Sequence, residues 1–274
     1  MNLNQNNNQN NNKNNNKNNN NNNNENIINT RPLRIVTQNV RGLNDRTKQQ
    51  QVIDFLDLND IDIFGLSETK ISNSSAKIAF KNFNNKYHSY FNNDTSSTSG
   101  SGVGIIVSND YAKYIHKVEA YKGRVLFIDL IMKGRIKIRI FQLYLPATST
   151  GMREYTTDLY KYITDKITDA LSQRSRIIVM GDFNINYEQY IRKYNQNGFI
   201  HWQNKFFKQL TDLHLLDTIS LCHDVTPSTP FNTFTPSHPN QSPSRIDFIW
   251  ISRDLCNEVI NSNNLDPFCT NQII

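Results

Sequence analysis

The feature that most constrains the fold of this chain is the stretch at residues 176–184, Arg-Ile-Ile-Val-Met-Gly-Asp-Phe-Asn. The apolar run at 177–180 predicts a strand that is buried on both faces. Gly181 then lets the backbone turn sharply, which places Asp182 and Asn184 beyond the strand end on one side of an extended chain. A carboxylate and a carboxamide held there suit a hydrated cation or a phosphate. The alternative is a purely structural turn, because Gly, Asp and Asn are also common turn residues.

The beginning of the chain differs in composition from the rest. Asparagine occupies 18 of the first 24 residues, and such a segment cannot offset the entropy cost of ordering its backbone. We therefore predict a disordered Asn-rich tail at residues 1–32, which lacks the apolar centre of a signal peptide. Residues 33–274 are long enough to bury the core of one large domain, and their length fits two smaller domains equally well. Because the sequence has no run of about 18 apolar residues, no transmembrane helix is expected.

Cysteine content and charge limit the environment and the partners. The three cysteines, Cys222, Cys256 and Cys269, are widely spaced and odd in number, so we expect a reduced, intracellular protein without disulfides. The formal net charge of +6 favours a polyanionic partner such as nucleic acid. Nothing in the sequence indicates a membrane partner, and a monomer is expected.

Hydrophobic periodicity predicts alternating strands and helices. Predicted strands lie at 33–40, 61–66, 103–107, 125–131, 136–145, 177–180 and 244–252, and predicted helices at 48–58, 152–171 and 201–216. The strand at 136–145 alternates in polarity, which predicts that Ile136, Ile138 and Ile140 face inward and that Lys137 and Arg139 face solvent. A tyrosine- and asparagine-rich loop is expected between the strand at 177–180 and the helix at 201–216.

Polar side chains recur at the ends of these apolar runs. They are Asn39, Glu68, Tyr144, Asp182 and Asn184, and Asp247 lies inside a further run, where an acid is costly unless it is paired. If the sheets bring these ends together, oxygen ligands converge on one point. Few hard oxygen ligands suit Mg²⁺ or Mn²⁺ shared with a substrate phosphate. The predicted chemistry is metal-assisted phosphodiester hydrolysis.

Five short motifs give the chain its resemblance to a known family. They are Thr-Gln-Asn at 37–39, Leu-Ser-Glu-Thr at 66–69, Tyr-Leu-Pro at 144–146, Gly-Asp-Phe-Asn at 181–184 and Ser-Arg-Ile-Asp-Phe at 244–248. In this order they resemble the endonuclease/exonuclease/phosphatase family. The resemblance implies an α+β, four-layer α/β/β/α sandwich of two mixed sheets flanked by helices, the DNase I-like fold.

Within the family, the chain is most similar to the apurinic-type endonuclease domains of non-LTR retrotransposons. Asn-Val-Arg-Gly-Leu at 39–43 and the motif at 244–248 carry this closer similarity. It implies a DNA endonuclease that acts in the nucleus.

The resemblance also implies roles for individual residues. Glu68 would bind the divalent metal with help from Asn39, Asp182 would orient or deprotonate the attacking water, and Asn184 would contact the scissile phosphate. Tyr144 would lie against the phosphate or the leaving oxygen. Asp247 would hold a histidine that donates to the phosphate. Arg41 and Thr233 are weaker candidates for phosphate contacts.

The C-terminal end departs from the family pattern. A Ser-Asp-His is expected some two dozen residues after the motif at 244–248, but no histidine follows His238, and Thr270, Asn271 and Gln272 stand there instead. Two neutral amides cannot transfer a proton, and general acid–base catalysis is typically worth about 100- to 10,000-fold in rate. We therefore expect an impaired nuclease, truncated or degenerate at this end. The alternatives are a non-catalytic nucleic-acid-binding remnant and, third, a phosphatase or RNA deadenylase of the same superfamily.

Overall fold

A computed structural model of the protein describes residues 31–94, 101–147, 150–198, 201–225, 231–236, 240 and 242–265. The chain divides into two units, Met1–Pro32 and Leu33–Ile274, and the fold described below is that of the second. The predicted Asn-rich tail lies outside the described residues except for its last two, and so do Cys269, Asn271 and Gln272. The division into a tail and one domain stays a prediction.

The described residues contain ten strands and seven helices. The strands are β1 (Ile35–Asn39), β2 (Ile63–Ser67), β3 (Tyr87–Asn92), β4 (Val103–Ser108), β5 (Ile115–Tyr121), β6 (Val125–Ile131), β7 (Lys137–Tyr144), β8 (Arg176–Asp182), β9 (Leu215–Asp217) and β10 (Asp247–Ser252). The helices are α1 (Arg46–Leu58), α2 (Asn73–Ala76), α3 (Asn109–Ala112), α4 (Arg153–Ser172), α5 (Tyr187–Asn197), α6 (Lys205–Asp212) and α7 (Thr218–Cys222). Short 3-10 turns include Thr150–Met152 and Trp202–Asn204.

The strands form two mixed sheets. The four-stranded sheet has the order β1-β2-β4-β3, in which only β1 and β2 are parallel. The six-stranded sheet has the order β5-β6-β7-β8-β10-β9, in which only β7 and β8 are parallel. One parallel pair in each sheet therefore brings two strand ends together at the same edge.

Three apolar clusters separate four layers. The first contains residues of α1 and β2, such as Leu56 and Phe64. The second lies between the sheets, where Ile105 of β4 and Met180 of β8 share one cluster. The third contains residues of α4, α6 and the outer face of the six-stranded sheet. This is the predicted α/β/β/α sandwich, and its central layers bring the two strand edges face to face.

In the strand at 136–145, Lys137 is exposed as predicted, but the predictions for Arg139 and Ile136 are wrong. Arg139 is only 5% exposed. Its guanidinium lies under α4, donating to both carboxylate oxygens of Asp129 at 2.6 and 2.8 Å and to the carbonyl of Lys166. Ile136 precedes β7 and is exposed. The strand is covered on both faces, and the ion pair with β6 makes burial of the charge tolerable.

One predicted helix and one predicted loop also need correction. The predicted helix at 201–216 is a 3-10 turn followed by α6, after which the chain enters β9. The predicted loop after β8 contains α5, which begins after Asn186, whose side chain accepts from the amide of Gln189. The other predicted strands and helices are present with shifts of a few residues at their ends.

None of the helices in the described part of the chain is long and apolar enough to cross a membrane. Cys222 and Cys256 are free thiols, and both are partly buried.

Candidate active site

Three predicted site residues lie in one row across the six-stranded sheet. Tyr144 of β7 and Asp247 of β10 are the register partners of Asp182 on β8. Gly181 precedes this row with φ +137°, and a Cβ on it would lie 2.1 Å from the carbonyl oxygen of Leu143. Only glycine allows this backbone path. The predicted turn at Gly181 is wrong, because β8 continues through Gly181 and Asp182 is its last residue, at the rim of the sheet.

Asn39 joins this row to the other sheet. Its Nδ2 donates to Asp182 Oδ2 at 2.8 Å and to Glu68 Oε2 at 3.0 Å. Its Oδ1 accepts from the amide of Arg41 at 3.0 Å. One carboxamide at the end of β1 thus holds two carboxylates that are far apart in sequence.

Glu68 is held at the end of β2 in a left-handed conformation, with φ +57°. Its carbonyl accepts from the amide of Gly42 at 2.7 Å, and Lys70 Nζ lies 2.6 Å from Oε1. Burial alone would raise the pKa of Glu68, but hydrogen bonds from Lys70 and Asn39 outweigh it and hold the pKa below its ordinary value. Glu68 is therefore an anion at neutral pH.

Asp182 is the buried carboxyl of the site, with 2% exposure. Its Oδ1 accepts from the amide of Asn184 at 2.9 Å. Burial raises the pKa of Asp182; the hydrogen bonds from Asn39 and Asn184 counter this only in part, and the negative charge of Glu68 raises the pKa further. A carboxyl with a raised pKa is a better proton acceptor once it is ionised.

Asn184 and Tyr144 flank this carboxyl. Asn184 has φ +51°, and its Nδ2 donates to the carbonyl of Leu145 at 2.8 Å. The ring of Tyr144 lies 4.6 Å from the guanidinium carbon of Arg124. Burial, followed by the charges of Glu68 and Asp182, raises the pKa of Tyr144 to about 12. Its hydroxyl therefore keeps its proton and can donate a hydrogen bond to a phosphate oxygen.

Asp247 begins β10 beside Asp182 and has an incomplete set of partners. The amides of Ile246 and Asp247 both donate to Thr233 Oγ1, at 3.1 and 3.0 Å. Asp247 Oδ1 is buried and accepts no hydrogen bond from the described residues. Burial and the neighbouring charge of Asp182 raise the pKa of Asp247. This oxygen lacks the donor that the resemblance assigned to a histidine.

Thr233 and Arg41, the two weaker candidates for phosphate contacts, lie beside the site. Thr233 is half-buried, and its hydroxyl oxygen anchors the start of β10. Arg41 is exposed, with φ +49°, and its positive charge lowers the pKa of Asp247. The structure brings both to the site, whereas Asn271 and Gln272 lie outside the described residues.

A polar group that supports the site was missed from the sequence. Gln142, fully buried between the sheets, donates to Ser67 Oγ at 2.8 Å and accepts from Thr37 Oγ1 at 3.0 Å. Ser67 Oγ donates to the carbonyl of Leu143 and accepts from the amide of Asp182 at 3.4 Å. A glutamine inside the apolar run at 140–143 was the available signal, by the same reasoning that singled out Asp247.

The donor set fits a divalent cation with few protein ligands. No group of three or more acidic, histidine or cysteine side chains within the described ranges could form a closed metal cage. Mg²⁺ needs none, because it binds through one or two carboxylates, waters and substrate phosphates. Glu68 offers an ionised, partly exposed carboxylate, and Asn39 holds it beside Asp182. These oxygens could hold Mg²⁺ or Mn²⁺.

Comparison with known proteins supports the same architecture. The model of the Endonuclease/Exonuclease/phosphatase family matches residues 36–265. No curated protein matches the sequence.

Several solved structures share the fold at low sequence identity. The 3' phosphatase NExo from Neisseria, bound to product DNA hairpin, has a TM-score of 0.63 at 20% identity over 82% of this chain and 88% of that chain. The catalytic domain of Xenopus laevis APE2 has a TM-score of 0.63 at 16% identity, over 81% and 83%. An AP endonuclease from Archaeoglobus fulgidus has a TM-score of 0.60 at 20% identity, over 82% and 88%. The predicted DNase I-like sandwich is confirmed.

Proposed function

The chain belongs to the Endonuclease/Exonuclease/phosphatase family, and on that premise we propose that it hydrolyses phosphodiester bonds in DNA with a bound divalent metal. The observation that carries the proposal is the single carboxamide of Asn39, which holds the carboxylates of Glu68 and Asp182 together. The DNA hairpin in the Neisseria relative favours DNA as the substrate class.

Each residue has a part in the proposed reaction. A metal held by Glu68 and Asn39 would neutralise charge on the phosphate and its leaving oxygen. Asp182 would orient the attacking water and accept its proton, since Asn39 and the amide of Asn184 fix both carboxylate oxygens. Tyr144 would donate its hydroxyl proton in a hydrogen bond to the phosphate, and its raised pKa keeps that proton in place.

We propose further that the enzyme is of the retroelement type and that it turns over slowly. The type rests on the motif similarities at 39–43 and 244–248. The slow turnover rests on Asp247 Oδ1, which has no donor among the described residues. The same oxygen favours the second candidate, a protein that binds nucleic acid without cleaving it.

Nicking of supercoiled plasmid with Mg²⁺ tests the proposal. Glu68→Gln and Asp182→Asn should each lower the nicking rate by about 100-fold or more, and chelation of the metal should stop it. Glu154→Gln, which makes the same change on an exposed glutamate, is the matched control. If the wild-type chain nicks as fast as Glu68→Gln, hydrolysis at this site is wrong.

Two further comparisons separate the alternatives. The double variant Asn271→Asp, Gln272→His should raise the rate if these positions replace a lost acid and histidine. If neither wild type nor the double variant cleaves but both bind DNA with steep salt dependence, the binding-only candidate is supported. A 3'-phosphorylated oligonucleotide and a polyadenylate RNA, assayed in parallel, test for a phosphatase or a deadenylase.

A further inference from the structure

A second concave site lies on the outer helical layer, between the first half of α4 and residues 202–209. It is a cavity of about 450 Å³, which we call the α4/α6 groove. The lining residues that matter here are Arg153, Tyr160, Lys161, Trp202, Lys205 and Gln209. The motif analysis pointed to none of them.

The groove is separate from the candidate active site. Leu159 and Ile163 of α4 pack on the outer face of the six-stranded sheet, in the same cluster as Phe127 and Val179. Asp182 points the other way, toward Asn39 of the four-stranded sheet. The six-stranded sheet therefore lies between the two sites, and the inference below does not rest on the proposed hydrolysis.

The charges that line the groove favour an anion. Arg153, Lys161 and Lys205 line it together with a single carboxylate, Asp165, which pairs with Lys161 at 2.5 Å. Three positive charges and one negative charge thus give the wall a net charge of +2. Cations on side chains of this kind bind phosphate through charge-assisted hydrogen bonds.

The wall of the groove also contains an aromatic side chain, Trp202, next to these cations. Trp202 is partly exposed, and its ring centroid lies 5.6 Å from that of His201. Tyr160, also in the wall, is 4% exposed, stacks on Phe206 at 5.0 Å and donates to the carbonyl of Gln203 at 2.9 Å. An exposed tryptophan face stacks on any nucleobase, and base stacking combined with nearby cations is the usual basis of sequence-tolerant nucleotide binding.

A third feature is an unused acceptor in the wall. The Oε1 atom of Gln209 is buried and has no hydrogen-bond donor among the described residues. A buried oxygen without a donor costs stability, and such groups in native proteins call for an explanation such as a ligand. A rotation of the partly buried Gln209 side chain would turn this oxygen toward the groove, where an exocyclic amino group of a base or a ribose hydroxyl supplies the missing donor.

From these three features we propose that the α4/α6 groove binds a nucleotide. The base stacks on Trp202, Gln209 Oε1 accepts a hydrogen bond from the base or sugar, and Arg153 and Lys205 hold the phosphate. This chemistry is shared by a free mononucleotide and by one nucleotide of a single-stranded nucleic acid.

Tryptophan fluorescence tests the site directly, because the chain has two tryptophans and Trp250 is only 2% exposed. Titration of the full chain with AMP, and separately with a short oligo(dA), in a chelating buffer should quench Trp202 saturably. Trp202→Phe should abolish the quenching and weaken calorimetric binding by about tenfold. Gln209→Leu and Lys205→Glu should weaken binding as well, and Lys205→Glu should flatten its salt dependence.

Lys133→Glu, the same charge change at an exposed position outside the groove, is the matched control and should bind as wild type does. Thermal unfolding verifies that each variant is folded. Quenching by AMP identifies a free nucleotide as the ligand, and quenching by the oligonucleotide alone identifies a strand. The proposal is overturned if neither ligand quenches Trp202, or if Lys133→Glu weakens binding as much as Lys205→Glu does.

Discussion

At the scale of single residues, the site depends on backbone conformations that most side chains avoid. Three residues of the site have positive φ values: Glu68 with +57°, Asn184 with +51° and Gly181 with +137°. Residues in sparsely populated regions cost about 1–3 kcal/mol each and persist where the surrounding structure fixes them. Hydrogen bonds fix Glu68 and Asn184 here: the amide of Gly42 donates to the carbonyl of Glu68, and Nδ2 of Asn184 donates to the carbonyl of Leu145.

Gly181→Ala should be strongly destabilising. The new Cβ would lie 2.1 Å from the carbonyl oxygen of Leu143, so β7 and β8 would have to separate. We expect a loss of roughly 2–5 kcal/mol in the free energy of unfolding, the sum of conformational strain and overpacking. Urea denaturation measures it.

Two other glycines serve as controls for this change. Gly198 has φ +66° with open space around it, so Gly198→Ala should cost only about 1 kcal/mol. Gly151 has open space and an ordinary φ, so Gly151→Ala should be nearly neutral. Equal losses at Gly181 and Gly198 would mean that the contact with Leu143 is unimportant.

At the scale of secondary-structure elements, Gln142 connects β7 to β1 and β2 through Thr37 and Ser67. Gln142→Leu keeps the volume but leaves the buried hydroxyl of Ser67 and the half-buried hydroxyl of Thr37 each short of a partner. We expect a loss of about 1–3 kcal/mol in the free energy of unfolding and a lower kcat, because Ser67 also contacts the amide of Asp182. The exposed change Gln51→Leu is the control, and a normal kcat in Gln142→Leu would confine Gln142 to a structural role.

The elements also show what hydrophobic patterns can and cannot predict. The buried strands β2 and β8 contain continuous apolar runs, and β6 is apolar except for Asp129, so local sequence was enough to find them. In contrast, α5 buries Tyr190 and half-buries Tyr187 and Ile191, and tyrosines at helical spacing were mistaken for loop composition. Strand β5 was missed because it is an edge strand whose side chains are mostly exposed. The buried position of Arg139 depends on Asp129 and α4, which no local pattern reveals.

At the scale of the whole molecule, the site is made where two sheets meet. Its members could be predicted because polar residues that end apolar runs are visible in the sequence. The hydrogen bonds between these residues could not be predicted. Asn39 and Asp182 are 143 positions apart, and the hydrogen bond between them depends on how the sheets pack. The α4/α6 groove was invisible for the same reason, because its cations and Trp202 come from two separate segments.

The two neighbouring carboxyls at this junction should make the stability of the whole domain depend on pH. Burial raises the pKa of both Asp182 and Asp247, so the folded state binds protons at these two groups more tightly than the unfolded state does. Their contribution to the free energy of unfolding therefore falls as pH rises from about 4 past neutrality. Asp247→Asn, measured by urea unfolding in a chelating buffer, should therefore be more stable than wild type at about pH 8, and its advantage should shrink toward about pH 5. Asp54→Asn, on an exposed carboxylate of α1, should show no such trend. If Asp247→Asn destabilises the protein equally at both pH values, the ionised carboxylate is compensated by partners in solution and the unpaired state of Oδ1 is wrong.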